Sequence, residues 1–139
     1  MRAARTCYDH LAGQLGTAIM AALLERGVLA GADGTFDAAT SSRDRLSSAG
    51  WDCDYRLTDT GRAWLDDFGV TIPAGRRPAV RYCVDWSEQR HHLAGALGAA
   101  MLARLVDLDW VRRSSTSRAV HVTSDGRLGL ADTLNVEVA

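Results

Sequence analysis

His10-Leu11-Ala12-Gly13 opens the stretch HLAGQLGTAIMAALLERGVL (residues 10–29), and the same four residues return as His92-Leu93-Ala94-Gly95 at the head of HLAGALGAAMLARLVDLDWV (residues 92–111). The two stretches share Leu, Gly, Ala and Leu at matching places, at an offset of 82. Upstream, Arg5-Thr6-Cys7-Tyr8-Asp9 corresponds to Arg81-Tyr82-Cys83-Val84-Asp85 at an offset of 76, so the second copy has gained six residues within WSEQRH. Downstream, Leu57-Thr58-Asp59-Thr60-Gly61-Arg62 corresponds to Val122-Thr123-Ser124-Asp125-Gly126-Arg127 at an offset of 65, so the first copy has gained seventeen. Shared blocks in one order, with insertions confined to polar stretches, indicate an internal duplication joined near Thr71 to Pro78.

Each copy follows one grammar. In the first, Tyr8, Leu11, Ala12, Leu15, Ala18, Ile19, Ala22 and Leu23 keep the 3.6-residue period, which predicts a long amphipathic helix stopped at Gly27. In the second, a helix is expected from about Leu93 to Leu108, preceded by a shorter helix over PAVRYCVDW (78–86) and a turn. A strand-turn-strand signal follows each long helix. Trp110–Arg113 and Ala119–Thr123 flank a polar tip, and in the first copy the tip has grown into a polar insertion at about 31–54 that returns through Tyr55–Thr58. Thr58 and Thr123 are N-cap residues for a last helix, with Trp64, Leu65 and Phe68, or Leu128, Leu130 and Leu134, facing inward. Helix, hairpin, helix is the order of a winged-helix unit. The expected fold is α+β and mostly helical: two degenerate winged-helix-like units, 1–70 and 71–139, related by duplication and pseudo-twofold packing around one shared core. Small residues at Ala12, Gly13, Gly16, Ala94, Gly95, Gly98 and Ala99 are expected to let the two long helices approach closely.

A length of 139 residues with 47% apolar and 24% charged residues describes one folded domain. The apolar runs are broken by Gln14, Gly16, Glu25, Arg26, Arg104 and Asp107, short of the roughly 20 residues a membrane span needs. The N-terminus carries no apolar secretory core, so a cytoplasmic location and no membrane partner are expected. The three cysteines form no CxxC pair and are expected to be reduced. Residues 1–70 hold seven Arg against ten acids and residues 71–139 nine Arg against seven, so the net charge of −1 divides into −3 and +2. Such a balance gives little non-specific pull on phosphates.

The pattern RTCYDHLAG…LLERGVL…YRLTDTGRAWL…RRP…CVDWSEQRHHLAGALGAAMLARLVDLDWVRR…RAVHVTSDGR resembles the C-terminal half of a bacterial group of ArsR-type winged-helix transcriptional regulators, over Arg2 to about Val136. In that group a DNA-reading winged helix comes first and the duplicated region follows. The resemblance therefore implies a C-terminal regulatory region, dimerising or effector-sensing, whose DNA-reading domain lies outside this chain. DNA is reached through that domain, and weakly or not at all through this chain. Three departures stand out. The Cys-x-Cys of the metal-sensing members is missing, Asp109 stands where Gly is usual, and His91 stands where a turn proline is common. A self-standing small-molecule or metal-binding module with no DNA role is the alternative.

Three constellations remain. Cys7 and His10 share a helix face on the expected fold, with Asp9 beside them, and Cys83, Asp85 and His92 are their counterparts. Across a pseudo-twofold axis they would offer thiolate, imidazole and carboxylate to one soft metal. The plainer reading makes the cysteines small core residues and the histidines braces. Trp64, Trp86 and Trp110, together with Cys7 and Cys83, are candidates for lining an effector cleft, with plain core as the alternative. Arg104, Arg112, Arg113, Arg118 and Arg127 are candidate DNA contacts, with a solvated hairpin as the alternative. GALGAAMLARLVDLD (95–109) has almost no side chain able to read a base edge. No GxSxG, HExxH or phosphate-cradling loop occurs, so an enzyme is not expected, and no cofactor is implied.

Overall fold

Gly13 and Gly95 start the two long helices in the left-handed region, at φ +75° and +74°, in a computed structural model that describes residues 1–138. A side chain at Gly13 would meet the Arg2 carbonyl oxygen at 2.5 Å. The chain therefore turns sharply into each helix, and the helices do not extend back to Tyr8 or Pro78. What precedes each is a hairpin: β1 (Arg5–Cys7) with β2 (His10–Ala12), and β5 (Arg81–Val84) with β6 (His91–Ala94). This corrects the helical reading of residues 8–12 and the short helix expected over 78–86. Tyr8 and Gln89 reverse the chain at φ +59° and +52°, a conformation open to few non-glycine residues and signalled by neither type.

After the hairpins come α1 (Gly13–Glu25) and α3 (Gly95–Asp107). Each is followed by a second hairpin, β3 (Leu29–Ala30) with β4 (Arg56–Leu57), and β7 (Val111–Arg113) with β8 (Val120–Val122). The last helices are α2 (Asp59–Phe68) and α4 (Ser124–Leu134). Hairpin, helix, hairpin, helix thus runs twice, an α+β architecture in which helix takes up 34% of the chain, so it is not mostly helical.

The cores of the two halves correspond. Leu15, Ile19, Met20 and Leu23 are buried on α1, and Leu97, Met101, Leu102 and Leu105, each 82 residues later, are buried on α3. Each such side chain contributes about 1.5–3 kcal/mol of burial free energy. The packing is exchanged: α1 lies on β6 and α3 on β2. Gly16 and Gly98 make room for the backbone of their own hairpins, where a side chain would meet the Leu11 carbonyl oxygen at 2.5 Å and that of Leu93 at 2.9 Å, and for the exchanged packing, where it would meet His92 Cβ at 3.5 Å and His10 Cβ at 3.2 Å. Leu128, expected to face inward, is exposed, while Leu130 and Leu134 are buried.

Two strand edges are completed from the other half. The Thr6 amide donates to the Arg118 carbonyl (2.8 Å) and the Val120 amide to that of Ala4 (3.1 Å), which sets β1 beside β8. The insertion lays Ser47–Gly50 along β5, through Ser47 to Val84 (2.9 Å), Val84 to Ser48 (3.0 Å) and Gly50 to Tyr82 (2.8 Å). The rest of the insertion is held by carboxylates. Asp52 accepts from the amides of Ser42, Arg43 and Asp44, and Asp44 accepts from those of Trp51 and Asp52.

Thr58 and Thr123 cap α2 and α4 as expected, accepting from the Gly61 amide at 2.9 Å and the Gly126 amide at 3.0 Å. The Thr123 hydroxyl also donates to the Asp109 carbonyl (2.6 Å), pinning the helix start to the preceding turn. Thr123→Ala is expected to cost about 1–2 kcal/mol in urea denaturation. Thr116→Ala at the exposed hairpin tip should stay within about 0.5 kcal/mol of the parent, and equal effects would deny the cap its role.

Candidate metal centre

The register of the two first hairpins sets Cys7 opposite His10 and Cys83 opposite His92. Exchanged packing then brings these pairs face to face. The ligand atoms of Cys7, His10, Cys83 and His92 all lie within 4.8 Å of one another. His10 Nε2 is 3.2 Å from His92 Nε2, and Cys83 Sγ is 3.7 Å from His10 Nε2. Both imidazoles are buried and both thiols are half-buried.

The far nitrogen of each ring rests on a carboxylate. His92 Nδ1 is 2.8 Å from Asp85 Oδ2, and His10 Nδ1 is 3.2 Å from Asp9 Oδ1. Asp9 is half-buried and gripped by both terminal nitrogens of Arg77 (2.6 and 3.1 Å), whose guanidinium holds its carboxyl below the usual range. Asp85 is 1% exposed and accepts from Arg5 Nη2 (2.9 Å), the Gly13 amide (2.7 Å), and the Ser87 amide and hydroxyl (3.1 and 2.9 Å). Burial alone would raise its pKa, but the bonds from His92, Gly13 and Ser87 outweigh that and keep it ionised. Its oxygens are engaged on Arg5, backbone and ring, so Asp85 stands behind His92 and outside the set of four ligand atoms.

The thiols share their titration. Hydrogen bonding to Cys83, His10 and His92 favours a Cys7 thiolate, and that thiolate together with burial pushes the Cys83 thiol up. For His92, burial opposes the charged ring, but Asp85 and Cys7 raise its pKa overall. A thiolate and two imidazoles with fixed Nδ1 partners form a soft-donor set. A pocket of about 190 Å³ lined by Cys7, Cys83, His92, Trp86 and Arg118 gives access to it from solvent.

The tryptophans do not line one cleft. Trp64 stacks on Phe68 at 5.0 Å between ring centroids and Phe68 meets Trp110 at 5.6 Å, whereas Trp86 is half-exposed beneath the Arg5 guanidinium at 4.8 Å. Trp64 and Trp110 sit where α2 meets the start of β7, and Trp86 sits in the loop after β5. Trp86, Cys7 and Cys83 do share the pocket over the thiols. A larger cleft of about 600 Å³ lies on the alanine face of α3, between Ala96, Ala99, Ala100 and Ala103 and the segment from Pro73 to Arg77. Its signal in the sequence was the row of alanines.

The arginines are scattered. Arg104 is half-buried and donates to the Phe68 carbonyl (2.7 Å), Arg112 pairs with Asp109 through both carboxylate oxygens, and Arg127 donates to the Val138 carbonyl (2.6 Å). Arg113 and Arg118 are exposed at the β7–β8 hairpin. Sequence reading missed Arg5, 2% exposed, whose burial nothing in its type announces. It also missed the buried set of His91, Tyr55, Tyr82 and Asp44. In that set Tyr55 Oη lies 2.7 Å from His91 Nδ1, and the Tyr82 hydroxyl donates to Asp44.

Fold and site together define a twice-run hairpin-and-helix protein with cysteine and histidine pairs facing across its middle. The chain is similar to the uncharacterized HTH-type transcriptional regulator YdfF of Bacillus subtilis (strain 168), with 34% identity over 138 residues, covering 97% of this chain and 53% of that protein. It thus spans about half the length of the curated relative it matches and is related to part of an HTH-type transcriptional regulator. No family model matches the chain, and no solved structure matches it. Among the described residues no helix is long and apolar enough to cross a membrane.

Proposed function

We propose that the chain is the C-terminal regulatory region of an ArsR-type winged-helix transcriptional regulator, built from two degenerate winged-helix-like units, 1–70 and 71–139, that arose by duplication. It orients or dimerises a DNA-reading domain that lies outside this chain and senses an effector in the cytoplasm. One observation carries the reading: nearly the whole chain matches, yet it accounts for half of a transcriptional regulator. The fold supports the same division of labour. Each long helix runs between two hairpins, so neither follows another helix through a short turn as the second helix of a helix-turn-helix does. Of the candidate arginines, Arg104 is engaged on the Phe68 carbonyl, Arg112 on Asp109 and Arg127 on the Val138 carbonyl, which leaves Arg113 and Arg118 at the hairpin.

The self-standing binding module keeps one observation in its favour, since both the 600 Å³ cleft and the cysteine–histidine set are complete within this chain. A gel shift at low salt with mixed-sequence duplex, run beside a reading of the native gene upstream of Met1, separates the two. The expected result is no retardation by this chain at micromolar concentration and an upstream in-frame DNA-reading domain. Retardation by this chain alone, or a native start at Met1, would overturn the proposal.

A further inference from the structure

We infer that Cys7, His10, Cys83 and His92 bind one zinc ion in a closed tetrahedral site that clamps the two halves of the chain together.

Two of the six edges between the ligand atoms match the ion. With zinc bonds of about 2.3 Å to sulfur and about 2.05 Å to nitrogen, a tetrahedron requires about 3.3 Å between two nitrogens and about 3.6 Å between nitrogen and sulfur. The protein holds His10 Nε2 and His92 Nε2 at 3.2 Å and Cys83 Sγ and His10 Nε2 at 3.7 Å. All four ligand atoms lie within 4.8 Å of one another, so the remaining edges close on the ion by small side-chain movements.

Tautomers add a second argument. Each Nδ1 lies at hydrogen-bond distance from a carboxylate oxygen of Asp85 or Asp9 and donates to it, which leaves a neutral ring with a lone pair on Nε2. Those lone pairs then face one another at 3.2 Å inside a buried cluster. The rings escape that repulsion without a metal if one turns its proton inward and gives up its carboxylate, or if one takes up a second proton. A cation between them removes the conflict and uses both carboxylates as orienting partners of metal-bound histidines.

Charge agrees as well. Zinc with two thiolates and two neutral imidazoles has no net charge, and the flanking Arg5–Asp85 and Arg77–Asp9 pairs are each neutral, so burial costs little. Four protein ligands leave no open position, which describes a structural or regulatory ion and not a catalytic one. Each half supplies one cysteine and one histidine from equivalent hairpin positions, so binding free energy is spent on holding the halves together. The inference stands apart from the regulatory reading, and a failed DNA assay leaves it untouched.

The test is cobalt and zinc titration of the full chain, made without an affinity tag, reduced and stripped with chelator under anaerobic conditions. One Co²⁺ per chain should produce the visible bands of a tetrahedral site and near-ultraviolet thiolate charge transfer, both erased by stoichiometric Zn²⁺. Cys7→Ser and Cys83→Ser should each weaken binding by about tenfold or more and reduce the charge-transfer band. Asp9→Asn, at the half-buried carboxylate behind His10, should weaken binding about tenfold while keeping the spectrum. Cys53→Ser, outside the set of four, should change nothing. Only the pale spectrum of an octahedral ion, or a Cys7→Ser/Cys83→Ser chain that binds as tightly as the parent, would overturn the inference. If the serine variants fail to fold, zinc-edge X-ray absorption of the parent decides: two sulfur and two nitrogen neighbours support the site, and an oxygen-and-nitrogen shell without sulfur refutes it.

Discussion

Asp85→Ala is expected to lower the free energy of unfolding by about 3–5 kcal/mol, the range for breaking a buried ion pair from one side. The Arg5 and Asp85 side chains are 2% and 0% exposed, and their nitrogen and oxygen lie 2.9 Å apart. Removal of the carboxylate strands the guanidinium, which keeps only Ser87 Oγ (3.0 Å) and a long contact to the Met1 carbonyl (3.4 Å). It also leaves the Gly13 amide and His92 Nδ1 without their acceptor. Urea denaturation with chelator and reductant present isolates this effect from metal binding. Asp9→Ala, which breaks the partly exposed pair with Arg77 and leaves His10 Nδ1 without its acceptor, should cost about 1–2 kcal/mol under the same conditions. Equal losses from the two variants would mean that Asp85 is not the keystone of the packing between halves.

Gly126→Ala is the second large effect, and its sign opposes helix propensity. In an exposed helix interior, glycine to alanine gains about 1 kcal/mol. Here an added Cβ would lie 2.0 Å from the Trp110 carbonyl oxygen and 2.8 Å from its carbon. That oxygen is already fixed, accepting from the Thr123 amide at 3.0 Å, so it cannot retreat without breaking the hairpin's hold on the helix. A loss of about 3 kcal/mol is expected, the upper end of ordinary overpacking. Gly61, 65 residues earlier, repeats the arrangement against the Val28 carbonyl at 2.2 Å, so Gly61→Ala should behave alike. Thermal unfolding followed by circular dichroism checks both, with Gly75→Ala, where nothing lies within 4 Å, as the reference. A stabilised Gly126→Ala variant would show that α4 docks differently.

The repeat was legible because its period outlasts its decay: Leu15 and Leu97, Thr58 and Thr123, and Gly61 and Gly126 do the same work in each half. Secondary structure before the long helices was not legible. Cys7 and His10 are three apart, a spacing that places residues together on a helix face and also across a two-residue hairpin turn. The cysteine–histidine grouping therefore survived an incorrect element, while Cys83 and His92, nine apart, meet across the longer β5–β6 hairpin. Tyr8 in the left-handed region gives none of the asparagine or glycine signal that marks such turns. The role of Asp85 was half legible. Its nearness to His92 could be foreseen from the repeat, but its engagement with Arg5 depends on contact between residues 80 positions apart. The insertion reads as irregular polar chain because Asp44 and Asp52 order it through backbone amides, which leaves no periodic trace.

The way β1 borders β8 and Ser47–Gly50 borders β5 bears on how the molecule could be divided. Residues 71–138 on their own would keep every helix and hairpin of their half and still present two bare strand margins, with unpaired amides and carbonyls along β5 and β8. Such margins recruit any extended chain that reaches them, including further copies of the same fragment. Each half is thus the selvage that keeps the other from fraying into aggregates.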